Sequence, residues 1–320
     1  MLKRRGILEF QELTVKNSLA CYFEELRRRN TSENTLKTYD LHLKRYIDVL
    51  EISEESVKVC NKRSYENFID CLQEEMKDVT LTSYCRTIRA FLYWVQREGY
   101  VESEKMSLPK YDKRIKETYS SEEMIKLLRK PEKRCSEVEY QTWVFINLIL
   151  STGLRLTSAL ECKVSQFVAK DKVLYVQKTK QRKAQTLLLN DEMIAILHKY
   201  ILVFGLKEGD YIFCTASGKR LAKRSMQDNV ATYNHSRGVN KTSVHLMRHT
   251  FAKNFYMQTK DIYSLQKILG HTSISTTEIY LQDLGLIEEN ATAYNPQILY
   301  GERERKRRGK LQDKKNTRMI

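Results

Sequence analysis

At 320 residues the chain exceeds one typical domain, and two units of roughly 100 and 180 residues would each bury a workable core. Its 56 Lys and Arg against 40 Asp and Glu leave a net charge of +16, which favours a polyanionic partner, while the most apolar run, Trp143 to Leu150, falls far short of the ~20 residues a membrane-spanning helix needs. Seven scattered cysteines without a C-x-x-C pair or a histidine at zinc-ligand spacing argue against a disulfide framework or a structural metal and for a reducing cytoplasmic setting, and the basic start MLKRRGILEF lacks the apolar core of an export signal.

After an N-terminal extension of residues 1–13, apolar residues recur at helical spacing through residues 14–100. Val15, Leu19, Tyr22, Phe23 and Leu26 form one stripe, and Leu36, Tyr39, Leu43, Tyr46, Ile47 and Leu50 a second. Tyr65, Phe68, Ile69 and Leu72 form a third, and Leu81, Tyr84, Ile88, Phe91, Leu92 and Val95 a fourth that stops at Gly99. Four amphipathic helices predict a small bundle. Lys37, Lys44, Arg45, Arg86 and Arg89 lie on its polar faces, where they suit phosphate contact, although an ordinary solvated face has the same pattern.

Residues 101–118 contain a proline, many charges and no sustained period, which reads as a linker. A second domain, residues 119–295, opens at Ser120-Ser121-Glu122-Glu123, where Ser120 and Glu123 have capping-box spacing. Glu139 to Leu150 reads as a buried helix. Lys172 to Gln177 and Gln185 to Leu189 read as two short strands joined by the basic loop KTKQRKA, a hairpin beside helices. Further helices are expected at Asp191 to Leu202, Ala222 to Asn234, His245 to Met257, Ile262 to Leu269 and Ile274 to Leu281. The expected fold is therefore mainly α with a small β-sheet, an α+β second domain behind a helical bundle. Residues 296–320 form a basic tail too poor in apolar residues to fold alone.

Three short segments concentrate Arg, His and Tyr. They are Ser151-Thr152-Gly153-Leu154-Arg155, His245-Leu246-Met247-Arg248-His249, and the stretch from Leu269-Gly270-His271 to Tyr280. Only six histidines exist in the chain, and three of them fall in the last two segments. Each residue alone has a plain explanation: an arginine after Thr-Gly caps or solvates, a helical histidine is a satisfied structural group, and Tyr280 is one of 19 tyrosines. Together they do not.

The three segments resemble the boxes of the tyrosine recombinase, or phage integrase, family, which includes Xer-type and transposon integrases. The family's T-G-L-R is similar to Thr152 to Arg155, its H-x-x-R-H to His245 to His249, and its L-G-H with a tyrosine nine residues beyond the histidine to Leu269 to Tyr280. The resemblance extends over about residues 14 to 290, because a helical core-binding domain ahead of the catalytic domain is also the family's layout.

That resemblance implies a site-specific recombinase with a defined catalytic set. Attack of an oxygen on phosphorus builds charge on the non-bridging oxygens, which the planar forks of Arg155 and Arg248 would hold without a metal. His245 would accept or share the tyrosyl proton or bond a phosphate oxygen, and His271 would donate to the phosphate from the other side. Tyr280 would be the nucleophile, forming a covalent phosphotyrosyl link that stores the bond energy, so neither ATP nor any other cofactor is implied. The family protonates the leaving 5′ oxygen from a lysine in the hairpin; Lys180 is the candidate, Lys178 the alternative, and Lys178 and Lys183 otherwise serve as phosphate contacts.

The implied partner is double-stranded DNA at an inverted-repeat recombination site. The chain would close on it like a clamp, monomeric when free and a homotetramer on paired sites. One departure stands out. The family often has an acidic residue three places after the first box arginine, where this chain has Ser158; Glu161, one helical step further, is the candidate substitute. Two rival readings share parts of the pattern: a type IB topoisomerase, which would relax any plasmid without a specific site, and a DNA-binding accessory protein, which would lack the catalytic set.

Overall fold

The computed structural model describes residues 13–110, 115–177 and 184–286. Near residue 113 the chain divides into two compact units.

In the first unit the four stripes become four helices, α1 (Val15–Arg28), α2 (Glu33–Leu50), α3 (Lys62–Leu72) and α4 (Asp78–Arg97). Polar side chains set the starts of the first three. Thr14 accepts from the Asn17 amide, Ser32 from that of Thr35, and Asn61 and Ser64 form a reciprocal box at the head of α3. The helices bury Leu43, Tyr46, Phe68, Ile88, Phe91, Leu92 and Val95 in one core. Two of its polar pairs are Tyr46 with Ser64 at 2.7 Å and the His42 ring with Thr87 at 2.9 Å, His42 also stacking on Tyr84. The stretch read as a linker has no helix or strand among its described residues, yet it is held down. Met106 is buried in the core of the bundle, Tyr65 donates to the Ser107 carbonyl at 2.8 Å, and Arg89 donates to the Met106 carbonyl at 3.2 Å. One apolar side chain flanked by charge leaves no period to read, so this docking had no sequence signal.

The second unit is built around α6 (Glu137–Thr152). Its run from Trp143 to Ile149 is buried nearly all round, because α5 (Ser121–Leu128), α8 (Asp191–Val203), α9 (Lys223–Ser236) and α10 (Val244–Thr259) pack on its different sides. The expected capping box at Ser120 and Glu123 is present. Three further helices complete the unit: α7 (Leu156–Glu161), α11 (Ile262–Leu269) and α12 (Ile274–Gln282). The sheet has three strands rather than the two expected: β1 (Phe167–Val168), β2 (Val173–Val176) and β3 (Gln185–Leu188), antiparallel in the order β1, β2, β3 with Tyr175 opposite Thr186. The extra strand is two residues long and α7 six, too short for any periodicity to register. Among the described residues no helix is long and apolar enough to cross a membrane.

One glycine ties the fold to the first motif. Gly153 ends α6 in the left-handed region (φ 64°), and a Cβ there would lie 2.3 Å from Cδ1 of Phe251 on α10. Conformation and space both require glycine at this position. Gly153→Ala is expected to lower unfolding stability by roughly 2 kcal/mol or more, read from the midpoint of urea denaturation; an unchanged midpoint would refute the packing argument.

Candidate active site

Four turns of chain converge. α6 ends at Gly153, and two residues later Arg155 leads into α7. α10 carries His245, Arg248 and His249 in its first two turns, and residues three and four apart share a face. α11 ends at Leu269, the chain reverses through Gly270 (φ 62°), and α12 begins after Ser273 and carries Tyr280 in its last turn.

Arg248 joins these pieces. It is buried, and it donates from Nη1 to the Gly153 carbonyl at 2.6 Å and from Nη2 to the Leu269 carbonyl at 2.8 Å. Arg155 donates to the same Leu269 oxygen at 3.2 Å. Both carbonyls sit at helix C-termini, the negative ends of the α6 and α11 dipoles, so backbone charge holds two guanidiniums side by side. Among the described residues neither arginine has a carboxylate partner. Burial depresses both: burial first, then the neighbouring Arg155, push Arg248 down to about 10, and burial lowers Arg155. An anion placed between them would relieve that cost.

The aromatic groups line the same space. The His249 ring stacks on Tyr280 at 4.9 Å and 30°, and meets His245 edge-on at 4.5 Å. His271 meets Tyr280 edge-on at 5.5 Å, and its Nδ1 is fixed by the Thr277 hydroxyl at 3.0 Å. Among the described residues the Tyr280 hydroxyl is buried beside the Arg248 guanidinium but makes no hydrogen bond of regular geometry with it, and Nδ1 of His249 is buried without a partner. Burial pushes the Tyr280 phenol up to about 12, outweighing the opposing pull of Arg248 and Arg155. Burial and the arginines push His271 down to about 4; burial, His245, Lys116 and Arg248 do the same to His249. His245 is lowered by burial and then by Arg248, Lys116 and Arg155. At neutral pH the pocket therefore holds three neutral imidazoles, a neutral phenol and two fixed positive charges.

The depressed histidines have a consequence for stability. Between the ordinary histidine value of about 6.5 and about 4, the unfolded chain binds protons that the folded chain resists, so stability is retained above that window and is lost as pH falls through it. The urea midpoint of the DNA-free protein is expected to fall between pH 7 and pH 5, and to fall less in His271→Asn. Equal pH dependence of the two proteins would count against the pocket.

Arg155, His245, Arg248, His271 and Tyr280, all singled out in sequence, thus come together. Lys178, Lys180 and Lys183 lie outside the described residues. Gln185, which opens β3 just beyond them, donates to the carbonyls of Ile268 at 2.6 Å and Lys267 at 3.1 Å, fastening the base of the hairpin to the end of α11. Sequence reasoning missed Gln185. It also passed over His249, whose place in the second motif was its only signal, and Lys116, which had none.

Glu161 does not support the arginines. Its carboxylate pairs with Arg220 at 3.0 Å on a half-exposed surface, while Ser158 is buried. The helical step that places both on one face is real but short, and a salt bridge to the loop between α8 and α9 takes Glu161 elsewhere. The two arginines are bonded instead to the Gly153 and Leu269 carbonyls. Glu161→Ala should accordingly leave single-turnover cleavage within about twofold and cost under about 1 kcal/mol of stability; a tenfold loss of cleavage would reinstate the carboxylate. On the bundle, Lys37, Lys44, Arg45 and Arg86 are exposed, with Lys44 paired to Asp40 at 2.8 Å. Arg89 is half-buried, bonded to the Met106 carbonyl and lying 5.9 Å over the Tyr93 ring.

Residues 117–285 match the phage integrase family, and residues 19–99 match the N-terminal SAM-like domain of phage integrases. The chain belongs to the phage integrase family of tyrosine recombinases and is a site-specific DNA recombinase. Among its relatives, the tyrosine recombinase XerD of Staphylococcus epidermidis is 28% identical over 271 residues, covering 79% of this chain and 88% of that protein. Among solved structures, the XerH recombinase in its post-cleavage complex with palindromic difH substrate superposes with a TM-score of 0.67 at 20% identity, over 89% of this chain and 91% of that one. A lambda integrase from a tetramer bound to a Holliday junction gives 0.65 at 18% identity, over 81% and 78%.

Proposed function

We propose that this recombinase cuts DNA by attack of the Tyr280 hydroxyl oxygen on a backbone phosphodiester. The new bond joins that oxygen to phosphorus, the bond to the 5′ oxygen breaks, and a 3′-phosphotyrosyl link remains. Reversal by a 5′ hydroxyl from another strand completes the exchange. Because the ester keeps the energy of the broken bond, neither ATP nor a metal is needed. The observation that carries this reading is a buried tyrosyl hydroxyl, without a hydrogen bond of regular geometry among the described residues, beside two guanidiniums that share the Leu269 carbonyl.

The residues then take roles that their environments favour. Arg155 and Arg248 grip the non-bridging oxygens, where charge grows in the transition state. Arrival of the phosphate offsets the repulsion that depresses His245 and His271, so their pKa values rise as the anion binds. His245 is then able to take up the tyrosyl proton, while His271, its Nδ1 held by Thr277, presents Nε2 as a donor to the phosphate. Lys180, or Lys178, protonates the leaving oxygen. The partner is duplex DNA bearing an inverted repeat, bound in the cytoplasm by one protomer on each half and by four across two paired sites. Lys37, Lys44, Arg45 and Arg86 of the bundle, with Lys183 of the hairpin, supply phosphate contacts.

Covalent capture tests the chemistry and finds the target sequence in the same step. The full chain is mixed with nicked duplexes of randomised sequence, so that the short fragment released by cutting diffuses away and traps the adduct. Denaturant-resistant adducts are expected to enrich one inverted-repeat sequence, equally well in EDTA and without nucleotide. Capture that requires a divalent cation, or adducts without sequence preference, would contradict the proposal, the latter favouring a topoisomerase.

A further inference from the structure

Outside the arginine and histidine cluster, Tyr280 has a further cationic neighbour. Nζ of Lys116 lies 5.7 Å from the centre of the Tyr280 ring, and the same ammonium pairs with Asp283 at 2.7 Å. The backbone repeats the connection: the Lys116 amide donates to the Asp283 carbonyl at 2.7 Å. One residue earlier, Ile115 runs against Gly285, where an added Cβ would stand 3.4 Å from Ile115 Cδ1. A two-residue segment that enters the second unit is thus joined at three points to the segment that leaves α12.

Asp283 caps the C-terminus of α12, a helix of nine residues. So short a helix frays readily at its ends, and Tyr280 sits in its last turn. The Lys116 amide satisfies a terminal carbonyl there, and its ammonium lies at the negative end of the helix dipole. Fraying would spread the tyrosyl oxygen over positions far wider than an in-line attack tolerates.

We infer that Lys116 and Asp283 form a latch that positions Tyr280, holding the last turn of α12 closed so that its hydroxyl faces the arginines. The latch rests on the reading of Tyr280 as nucleophile. Lys116 acts through Asp283 and the Tyr280 ring rather than on the DNA, and its effect belongs to the chemical step rather than to binding.

The test uses the duplex captured by the unaltered chain, and compares single-turnover cleavage, DNA affinity and thermal melting. Lys116→Met and Asp283→Asn are each expected to slow cleavage by roughly tenfold to a hundredfold with affinity within about twofold. Lys116→Arg, which keeps the ion pair, should retain most of the rate. The exchanged pair, Lys116→Asp with Asp283→Lys, should run about tenfold faster than either single reversal. Cleavage by Lys116→Met at the original rate would overturn the latch, and so would an exchanged pair no faster than its single parents, since Lys116 would then act on the phosphate itself. Should Lys116→Met melt below the assay temperature, Asp283→Asn and the exchanged pair decide the matter by the same criteria. Failure of the unaltered chain to form any adduct would remove the proposed function and the latch together, whereas normal adduct formation with indifferent variants removes the latch alone.

Discussion

Tyr280→Phe is expected to end strand cutting altogether while DNA binding stays within about twofold of the original. The substitution deletes one oxygen that makes no hydrogen bond of regular geometry among the described residues, so its removal costs the neighbouring Arg248 only a weak interaction. The ring keeps its stacking on His249 and its edge contact with His271. Burial of a lone hydroxyl costs free energy, and its loss should leave the protein as stable as before or slightly more so. A gain in melting temperature together with complete loss of cleavage is the signature of a group kept for chemistry at some expense to the fold. Residual cutting above about one part in a thousand, by a protein of intact melt, would transfer the nucleophile's role to another group.

Arg248→Ala should be the second most damaging change, and for two separable reasons. Loss of a cationic fork aimed at developing charge lowers cleavage by on the order of a hundredfold to a thousandfold. The same side chain joins the ends of α6 and α11 through the Gly153 and Leu269 carbonyls, and stranding the buried Gly153 acceptor, while Leu269 keeps Arg155, costs roughly 1 to 3 kcal/mol. Arg155→Ala, which shares only the Leu269 carbonyl, should match the catalytic loss with less destabilisation. Equal loss of stability in the two variants, measured by urea denaturation, would mean that the bridge carries less than its geometry suggests.

Much of the fold was legible because its signals are local. Helical stripes in the bundle repeat every three or four residues, and in the second unit the capping box of Ser120 and Glu123 stands at a fixed offset from the helix it opens. The candidate site was legible to the extent that its members sit in short motifs: Arg155, His245, Arg248, His271 and Tyr280 could each be named from spacing and resemblance. What holds them was not. The acceptors of both arginines are backbone carbonyls, which every residue carries and no sequence distinguishes. The search for an acid in place of Ser158 therefore led to Glu161, a carboxylate engaged with Arg220. Lys116 and Asp283 are 167 positions apart, a separation at which a single sequence carries no pairing signal. Arg89 looked like the other bundle cations, and only the return of Met106 into the core shows why it differs.

The most direct test of the account is to find the atom that carries the DNA. The adduct trapped on a nicked duplex is digested with protease and nuclease, and the peptide bearing the residual nucleotide is sequenced by tandem mass spectrometry. The account predicts a phosphodiester-linked remnant on Tyr280 and on no other residue. A remnant on a different side chain, or efficient strand exchange with no protein-bound nucleotide at any stage, would contradict it.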